Sequence, residues 1–574
     1  MGSALPGRAD PPRQNRPDPE MPLKLPLAAP APAAAPGSPS DGENILAWLS
    51  RFCCRLSKVI HKYLGLLLLI YFFAMGASGL LLNNPGLISG FSVPWSLTPA
   101  NYEPRAWNRM YLRGGTINGD DWFLAGKPGV VHSADGGRTF TILAEGFAPS
   151  PYGRDTMGLL VRPGPAGYEL LAATRAGLYQ RYRDQPWQRL ELPGAGRNPV
   201  VEDVIATPKL IVAFTQQGLY VAPVPAAAPP GADHNQSAES RTGPEYQFTA
   251  IEPEISGDYH DLVPWFRILH DIHKGRIIGS AGKWLLDLLA LGLIFLALSS
   301  LVIWYVPWRN RRIKRWRRKP GRLFNFCWPY HLKIGIYTVA FLALLAVTGA
   351  LLRPPLLIAV APYSLERDHP LLALSPRSND WGGKPQQALY SSASDTILVA
   401  TEGGFFQGPA DFSAPFQPRL IPVPIHGMGV TVLEEVEPGL LLIGSFMGLY
   451  LWEEFGGRVE RLPRPGLRGG NPYMGNDLVT GAVMADGRPR FRVDYHDGLL
   501  PIVPQMAGYG PPMPAGIIAN TPMSLWHYLF EFHNGRIFEQ WLGMGYLLII
   551  PAGGASLLLL AITGLFDWLY RRLG

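Results

Sequence analysis

Four of the chain's 12 histidines stand at ordered positions beside apolar runs. His61 and His331 each open such a run in the pattern His-x-x-x-Gly, with Gly65 and Gly335 four residues on. His273 and His533 sit in LHDIHKGRI and LFEFHNGRI, just ahead of two further apolar runs, and Arg276 and Arg536 follow them. Two imidazoles on facing helices can hold a haem iron axially, each through one ring nitrogen, while the other nitrogen takes an orienting hydrogen bond. A glycine four residues after a histidine lies on the same helix face and removes the side chain where a flat macrocycle would lie. Arginine matches carboxylates in a planar fork, so Arg276 and Arg536 are the expected partners of haem propionates. His270 and His527 are alternative ligands. The repeat argues against both, because Phe530 stands at the position of His270 and Arg267 at that of His527. A separate metal site built from His260, His270 and His273 has no carboxylate or thiolate spacing behind it.

Other chemistries find no support in the residues. Three cysteines in 574 residues, none in a CxxC or CxxCH pattern, exclude a disulfide framework, thiolate zinc sites and covalent c-type haem. There is no GxSxG nucleophile elbow and no HExxH zinc helix. The stretch Ser133 to Phe140 resembles the Asp-box hairpin of sialidases. That hairpin is a structural turn, and no arginine cluster with a tyrosine nucleophile accompanies it. No GxGxxG dinucleotide fingerprint accompanies the basic segments.

Electron transfer at these histidines requires elements that hold them across a low-dielectric barrier. Hydrophobic residues make up 47% of the chain and charged residues only 17%, against about 25% in ordinary soluble domains. Four stretches, 63–82, 284–306, 334–352 and 544–569, are long enough to cross a bilayer, which takes about 20 apolar residues. Basic residues flank them unevenly: Arg51, Arg55, Lys58 and Lys62 before the first, RNRRIKRWRRKPGR between the second and third, Arg571 and Arg572 after the fourth. The positive-inside rule makes those flanks cytoplasmic. The net charge of +7 thus reports topology and not nucleic-acid binding. The Pro- and Ala-rich segment 1–44 reads as a disordered cytoplasmic tail.

The chain is a duplication. HKYLGLLLLIYFFAMGASGLLL from His61 matches HLKIGIYTVAFLALLAVTGALL from His331, with Gly79 and Gly349 at equal distance from each histidine. Matching positions are expected to be related by a pseudo-two-fold axis along the membrane normal. Between the spans a shorter repeat recurs: an apolar strand, a small or polar tetrad, then Gly-Leu-Tyr or similar, at Gly129, Gly177, Gly218, Gly404, Gly448 and Gly498. A spacing of about 40–50 residues suits propeller blades of four short strands. The expected fold is an α-helical membrane bundle of four spans with all-β, propeller-like extracytoplasmic domains. Its segments are a tail (1–44), a first span with its lead-in (45–83), a three-bladed outer domain (84–265), an interfacial segment and second span (266–308), a basic loop (309–330), a third span (331–353), a second three-bladed outer domain (354–525), and an interfacial segment and fourth span (526–574).

HKYLG and TGALL at span starts and ends, with HKGR and HNGR before an apolar helix ending in Trp and Arg, resemble the PepSY-associated transmembrane family. The resemblance covers roughly 59–83, 266–310, 328–353 and 529–572. It implies an inner-membrane protein of the ferrisiderophore-reductase kind, with b-type haems held between four helices. The outer strands depart from the α/β PepSY module, so the resemblance does not extend to a siderophore substrate. The expected function is electron transfer from a quinol or a cytoplasmic-side protein, through two haems, to an extracytoplasmic acceptor. The loop 309–330 is too short to hold a dinucleotide domain. The competing class is a non-redox, membrane-anchored propeller that binds or assembles a partner. The charge asymmetry predicts both termini in the cytoplasm: a reporter active only outside the membrane should be silent when fused after Leu573, and activity there would overturn the orientation.

Overall fold

The structure is a computed structural model describing residues 45–164, 167–216, 218–225, 244–256, 262–312, 321–374, 384–464, 477–502 and 510–573. The expected tail, residues 313–320 of the basic run and His260 lie outside the described residues. Up to Ser57 the described part is the beginning of helix α1 (Ile45–Leu67); the rest belongs to a compact unit that starts at Lys58.

Helix α2 (Leu69–Asn83) follows α1 after a break at Leu68, and the two are bent by 63°. The break falls inside the expected first span, in a leucine run with no proline or glycine at that point. Among the described residues, three helical stretches are long and apolar enough to cross a membrane by themselves: Arg276–Arg312, Arg322–Leu351 and Arg536–Arg572. The first contains α4 (Gly279–Arg312), the second is α5 (Arg322–Leu351), and the third contains α7 (Ile549–Leu573). A fourth crossing exists if the bent pair counts as one. Two short helices, α3 (Trp265–His273) and α6 (Leu525–His533), precede α4 and α7. Among the long helices, α2 packs on α4, α4 on α5, and α5 on α7. These helices carry many exposed large apolar side chains, such as Leu67, Ile70, Trp284 and Tyr337. In water such a surface would drive association; a lipid bilayer covers it at no cost. The chain is a membrane protein.

Among the described residues the larger sheets contain six antiparallel units, opened by Leu112–Asn118, Thr156–Gly164, Val201–Ala206, Pro385–Ser391, Val430–Glu437 and Val479–Ala485; four are separate four-stranded sheets, and the first and sixth join in one seven-stranded sheet. Each instance of the short sequence repeat falls at the turn between a sheet's second and third strands. Gly177, Gly404 and Gly448 take φ between 125° and 138° there, a region closed to other residues. Every opening strand carries a bulge near its start, at Leu112/Gly114, Thr156/Gly158, Val201/Asp203, Pro385/Gln387, Val430/Val432 and Val479/Gly481. A bulge sharpens local twist, and its recurrence marks six equivalent units.

The sheets touch in cyclic order. Opening strands pack first on second, second on third, and so on to the sixth, whose opening strand pairs in parallel with that of the first (Gly114 with Ala482, Thr116 with Met484). A separate apolar core fills each of the six junctions. Neighbouring residues feed neighbouring cores: Leu170 faces the first sheet and Leu171 the third, Ile397 the third and Leu398 the fifth. Side chains alternate along a strand, so a sheet buried on both faces reads as a continuous apolar run. Two ribbons join the sheets to the helices. Ser92–Val93 pairs with Met523–Ser524, just ahead of α6, and Leu262–Pro264 pairs with Ser364–Glu366, just ahead of α3.

Two junctions join residues from opposite halves of the sequence: Ile205, Val212 and Leu219 with Ile397 and Phe406, and Leu112 and Trp122 with Val483 and Phe491. Expressed alone, residues 84–262 should therefore aggregate or dimerise in size-exclusion chromatography with light scattering. A monomeric fragment that melts cooperatively would show that each half closes on itself.

Candidate functional site

The residue order His-x-Gly-Arg sets the ends of α3 and α6. Gly275 and Gly535, with φ of 71° and 75°, terminate the helices in the left-handed conformation, which leaves His273 and His533 in the last turn. The two rings face each other with centroids 6.4 Å apart and planes at 58°. His61 lies near the end of α1 and His331 inside α5. His273 and His533 thus meet as the expected outer pair.

Sequence reasoning missed what holds them. His533 Nδ1 lies 2.8 Å from Ser78 Oγ and His273 Nδ1 lies 3.1 Å from Thr348 Oγ1. His331 Nδ1 lies 2.8 Å from Ser299 Oγ, and His61 Nδ1 lies 3.2 Å from Thr563 Oγ1 and 3.1 Å from the Leu560 carbonyl. Each hydroxyl already donates to a carbonyl of its own helix: Ser78 to Ala74, Thr348 to Leu344, Ser299 to Leu296, Thr563 to Leu559. It can then only accept from the ring, which places the proton on Nδ1 and the lone pair on Nε2. No hydrogen bond to the described residues uses Nε2 at any of the four. The signal was in the sequence: Ser78 and Thr348 each directly precede a repeated glycine, and Ser299 and Thr563 share a place in the two later spans.

Glycines make room for three of the rings. A Cβ at Gly349 would lie 2.9 Å from His273 Cε1, one at Gly79 3.4 Å from His533 Cε1, and one at Gly564 3.1 Å from His61 Cε1. Gly65 and Gly335 differ: a Cβ there would touch only Leu560 or Leu296, at 3.9 and 3.8 Å. Neither glycine is in contact with a histidine ring there; each faces a leucine at ordinary packing distance.

The alternates have other partners. His270 stacks on Phe266. His527 has both nitrogens engaged, Nε2 3.4 Å from Glu531 and Nδ1 3.4 Å from Lys127. Among the described residues no three His, Cys, Asp or Glu side chains converge as a metal site.

Charged residues dock the ring of sheets onto α3 and α6. Glu531, 1% exposed, accepts from the Tyr102 hydroxyl at 2.7 Å and from the Arg536 guanidinium. Burial alone would push its carboxyl up; the His527 bond and the Arg536 charge hold it down, at about 2. Lys127, in the second turn of the first sheet, donates to the Arg109 carbonyl at 2.9 Å, and burial pulls its amine down to about 7. The matching turn of the fourth sheet offers Glu402, 3.9 Å from Arg267 on α3, and Arg267 also faces Asp271 at 3.9 Å. The first and fourth sheets are opposite in the cyclic order, so the ring sits on both histidine-bearing helices at once.

A family profile described as PepSY-associated TM region matches residues 59–571. The chain belongs to the PepSY-associated transmembrane family. Among curated proteins it is 34% identical over 90 residues to an uncharacterized protein of Pseudomonas aeruginosa. That match spans 16% of this chain and about a fifth (22%) of the relative's length. Among solved structures, the extracellular domain described as that of a hybrid two component system of B. thetaiotaomicron aligns with 65% of this chain and 30% of its own, at 9% identity and a TM-score of 0.28. A second structure, described as the corresponding domain of a one component system from the same organism, aligns with 60% of this chain and 46% of its own, at 10% identity and a TM-score of 0.16.

Glu531 is the buried charge on which the docking contact turns. Glu531→Gln should leave the Arg536 guanidinium without the carboxylate it donates to and cost about 3–5 kcal/mol, the range for breaking one partner of a buried pair. Thermal unfolding of the detergent-solubilised protein would read this as a clear drop in Tm, whereas a change at exposed Glu460 should leave Tm in place.

Proposed function

We propose that this protein carries electrons across a bacterial inner membrane through two b-type haems, an inner one held by His61 and His331 and an outer one held by His273 and His533. The observation that carries the reading is the common state of the four imidazoles: each gives its Nδ1 proton to a group on a neighbouring helix and keeps a lone pair on Nε2. Ligation of a metal ion requires that state. The 6.4 Å between the outer ring centroids supports it as well. Two rings this close could hold one metal ion between them. Haem, when bound, supplies a one-electron Fe(III)/Fe(II) couple.

The chain's own residues supply the rest. Ser78, Thr348, Ser299 and Thr563 fix ring orientation and tautomer. Gly79, Gly349 and Gly564 let rings approach helix backbones, and Gly65 and Gly335 are assigned to the flat face of the inner haem. Arg276 and Arg536 are assigned to the outer haem's propionates. In this reading α1 and α2 together make a fourth span, both termini are cytoplasmic, and the six sheets form one six-bladed propeller outside. A hydrocarbon core of about 30 Å separates the two faces, which is why two centres are needed. The donor is a quinol or a cytoplasmic-side protein, and the acceptor lies outside. A ferric or ferrisiderophore reductase is one such activity.

His533→Ala is the sharpest test. It should reduce haem from two per chain to one and remove one low-spin component from the reduced spectrum, leaving the inner centre. A variant with two low-spin haems and wild-type bands would refute the outer ligand pair. A colourless wild-type preparation after adequate haem supply would refute the redox reading and favour the membrane-anchored binding protein.

A further inference from the structure

On one side of the outer histidine pair, positive charge is left without its counterpart. Arg536 lies three residues beyond His533, and Arg353 lies four beyond Gly349, the residue that cradles His273. Arg353 acts on Arg536, Glu531, Tyr102 and Tyr546, with its guanidinium 5.9 Å from the Tyr546 ring centre. Arg109 closes the group from the ring of sheets, 5.7 Å from the ring centre of Tyr102 and 5.1 Å from that of Tyr495. Arg353 and Arg536 both face Glu531, and Arg109 reaches the same carboxylate through Tyr102, which donates to it. The next carboxylate, Glu539, is felt at Tyr546.

Hydrogen bonding is short of acceptors in the same place. Arg353 Nε and Nη2, Arg536 Nε and Arg109 Nε are buried and have no partner. Half-buried guanidinium groups in this state cost free energy unless an anion completes them. The sequence repeat does not require the arginine: the counterpart of Arg353 in the first half is Asn83, which donates to Asp287 at 2.7 Å. At this position, then, the two halves differ.

We propose that Arg109, Arg353 and Arg536 form a binding site for an oxyanion carrying two negative charges, beside the outer histidine pair and under the ring of sheets. Paired carboxylates or a phosphate fit the planar forks. Two sources share this chemistry: the carboxylates of a tetrapyrrole held by His273 and His533, or a free oxyanion that enters from outside. The tetrapyrrole source rests on the haem reading above; the free-oxyanion source does not.

The test uses the full chain in maltoside micelles, which carry no phosphate, with Arg353→Gln and Arg353→Lys as variants. A free oxyanion predicts a saturable rise of Tm with inorganic phosphate in the wild type. The apparent affinity should weaken about tenfold or more in Arg353→Gln, the loss of one good charge-assisted pair, and be largely kept in Arg353→Lys. A tetrapyrrole carboxylate predicts no phosphate response. Arg353→Gln should then hold haem less tightly or lower the outer midpoint potential, and reconstitution with haem dimethyl ester should erase its difference from wild type. If Arg353→Gln matches wild type in both experiments, the site does not exist. Should both variants misfold, Arg109→Gln carries the same measurements, with the same outcomes for and against.

Discussion

A hydroxyl group that has given its proton to its own helix can only accept another. That constraint orders the centre of this protein. Ser78, Ser299, Thr348 and Thr563 each bond back to a carbonyl of the preceding turn, and each is then met by a histidine from a different helix. Within the hydrocarbon layer water does not offer an alternative partner, so the arrangement fixes tautomer and ring direction together. It also ties the helices to one another: α6 to α2, α3 to α5, α4 to α5, and α1 to α7. The two-fold repeat makes each tie twice.

The ring of sheets depends on the same duplication in a different way. Neither half owns a complete set of junction cores. The cores between the third and fourth sheets and between the sixth and first are shared across the sequence midpoint, where the chain has crossed back through the helices. Closing the ring therefore brings α3 and α6 together, since opposite sheets hold one helix each through Lys127 and Glu402. The halves solved this contact with opposite charges. A lysine meets His527 and Glu531 on one side, and a glutamate meets Arg267 on the other. The departure from symmetry leaves the excess of arginine near Glu531.

Buried charge at this junction is costly and is kept. Glu531 is held ionised by its hydrogen bonds and by Arg536, against the pull of burial. Replacing such a group with apolar side chains is often neutral for stability elsewhere. Here it acts beside apolar contacts that also join the sheets to α6: Trp95 packs against both the first sheet's core and the cluster that holds Tyr528 and Phe532, and Tyr152 meets Trp526.

The sequence alone determined the duplication, the four histidines, the long apolar helices and the six short strand repeats. These are periodic features, and period is what burial imposes on a chain locally: a helix in lipid is apolar all round, and a strand between two cores is apolar along its length. The helix ends after His273 and His533 were legible for the same local reason, a glycine that can turn left-handed. The tertiary structure decided what those periods could not carry. A hydroxyl residue ahead of a repeated glycine marks Ser78 in the sequence, but its partner His533, 455 residues away, is set only by packing. The closure of Leu112–Asn118 on Val479–Ala485 is a long-range parallel pairing, chosen by which edges remain after the other sheets have stacked. The bend at Leu68 falls among leucines whose types do not announce it. The meeting of Arg109, Arg353 and Arg536 depends on three separate segments arriving at one place, which only packing can arrange.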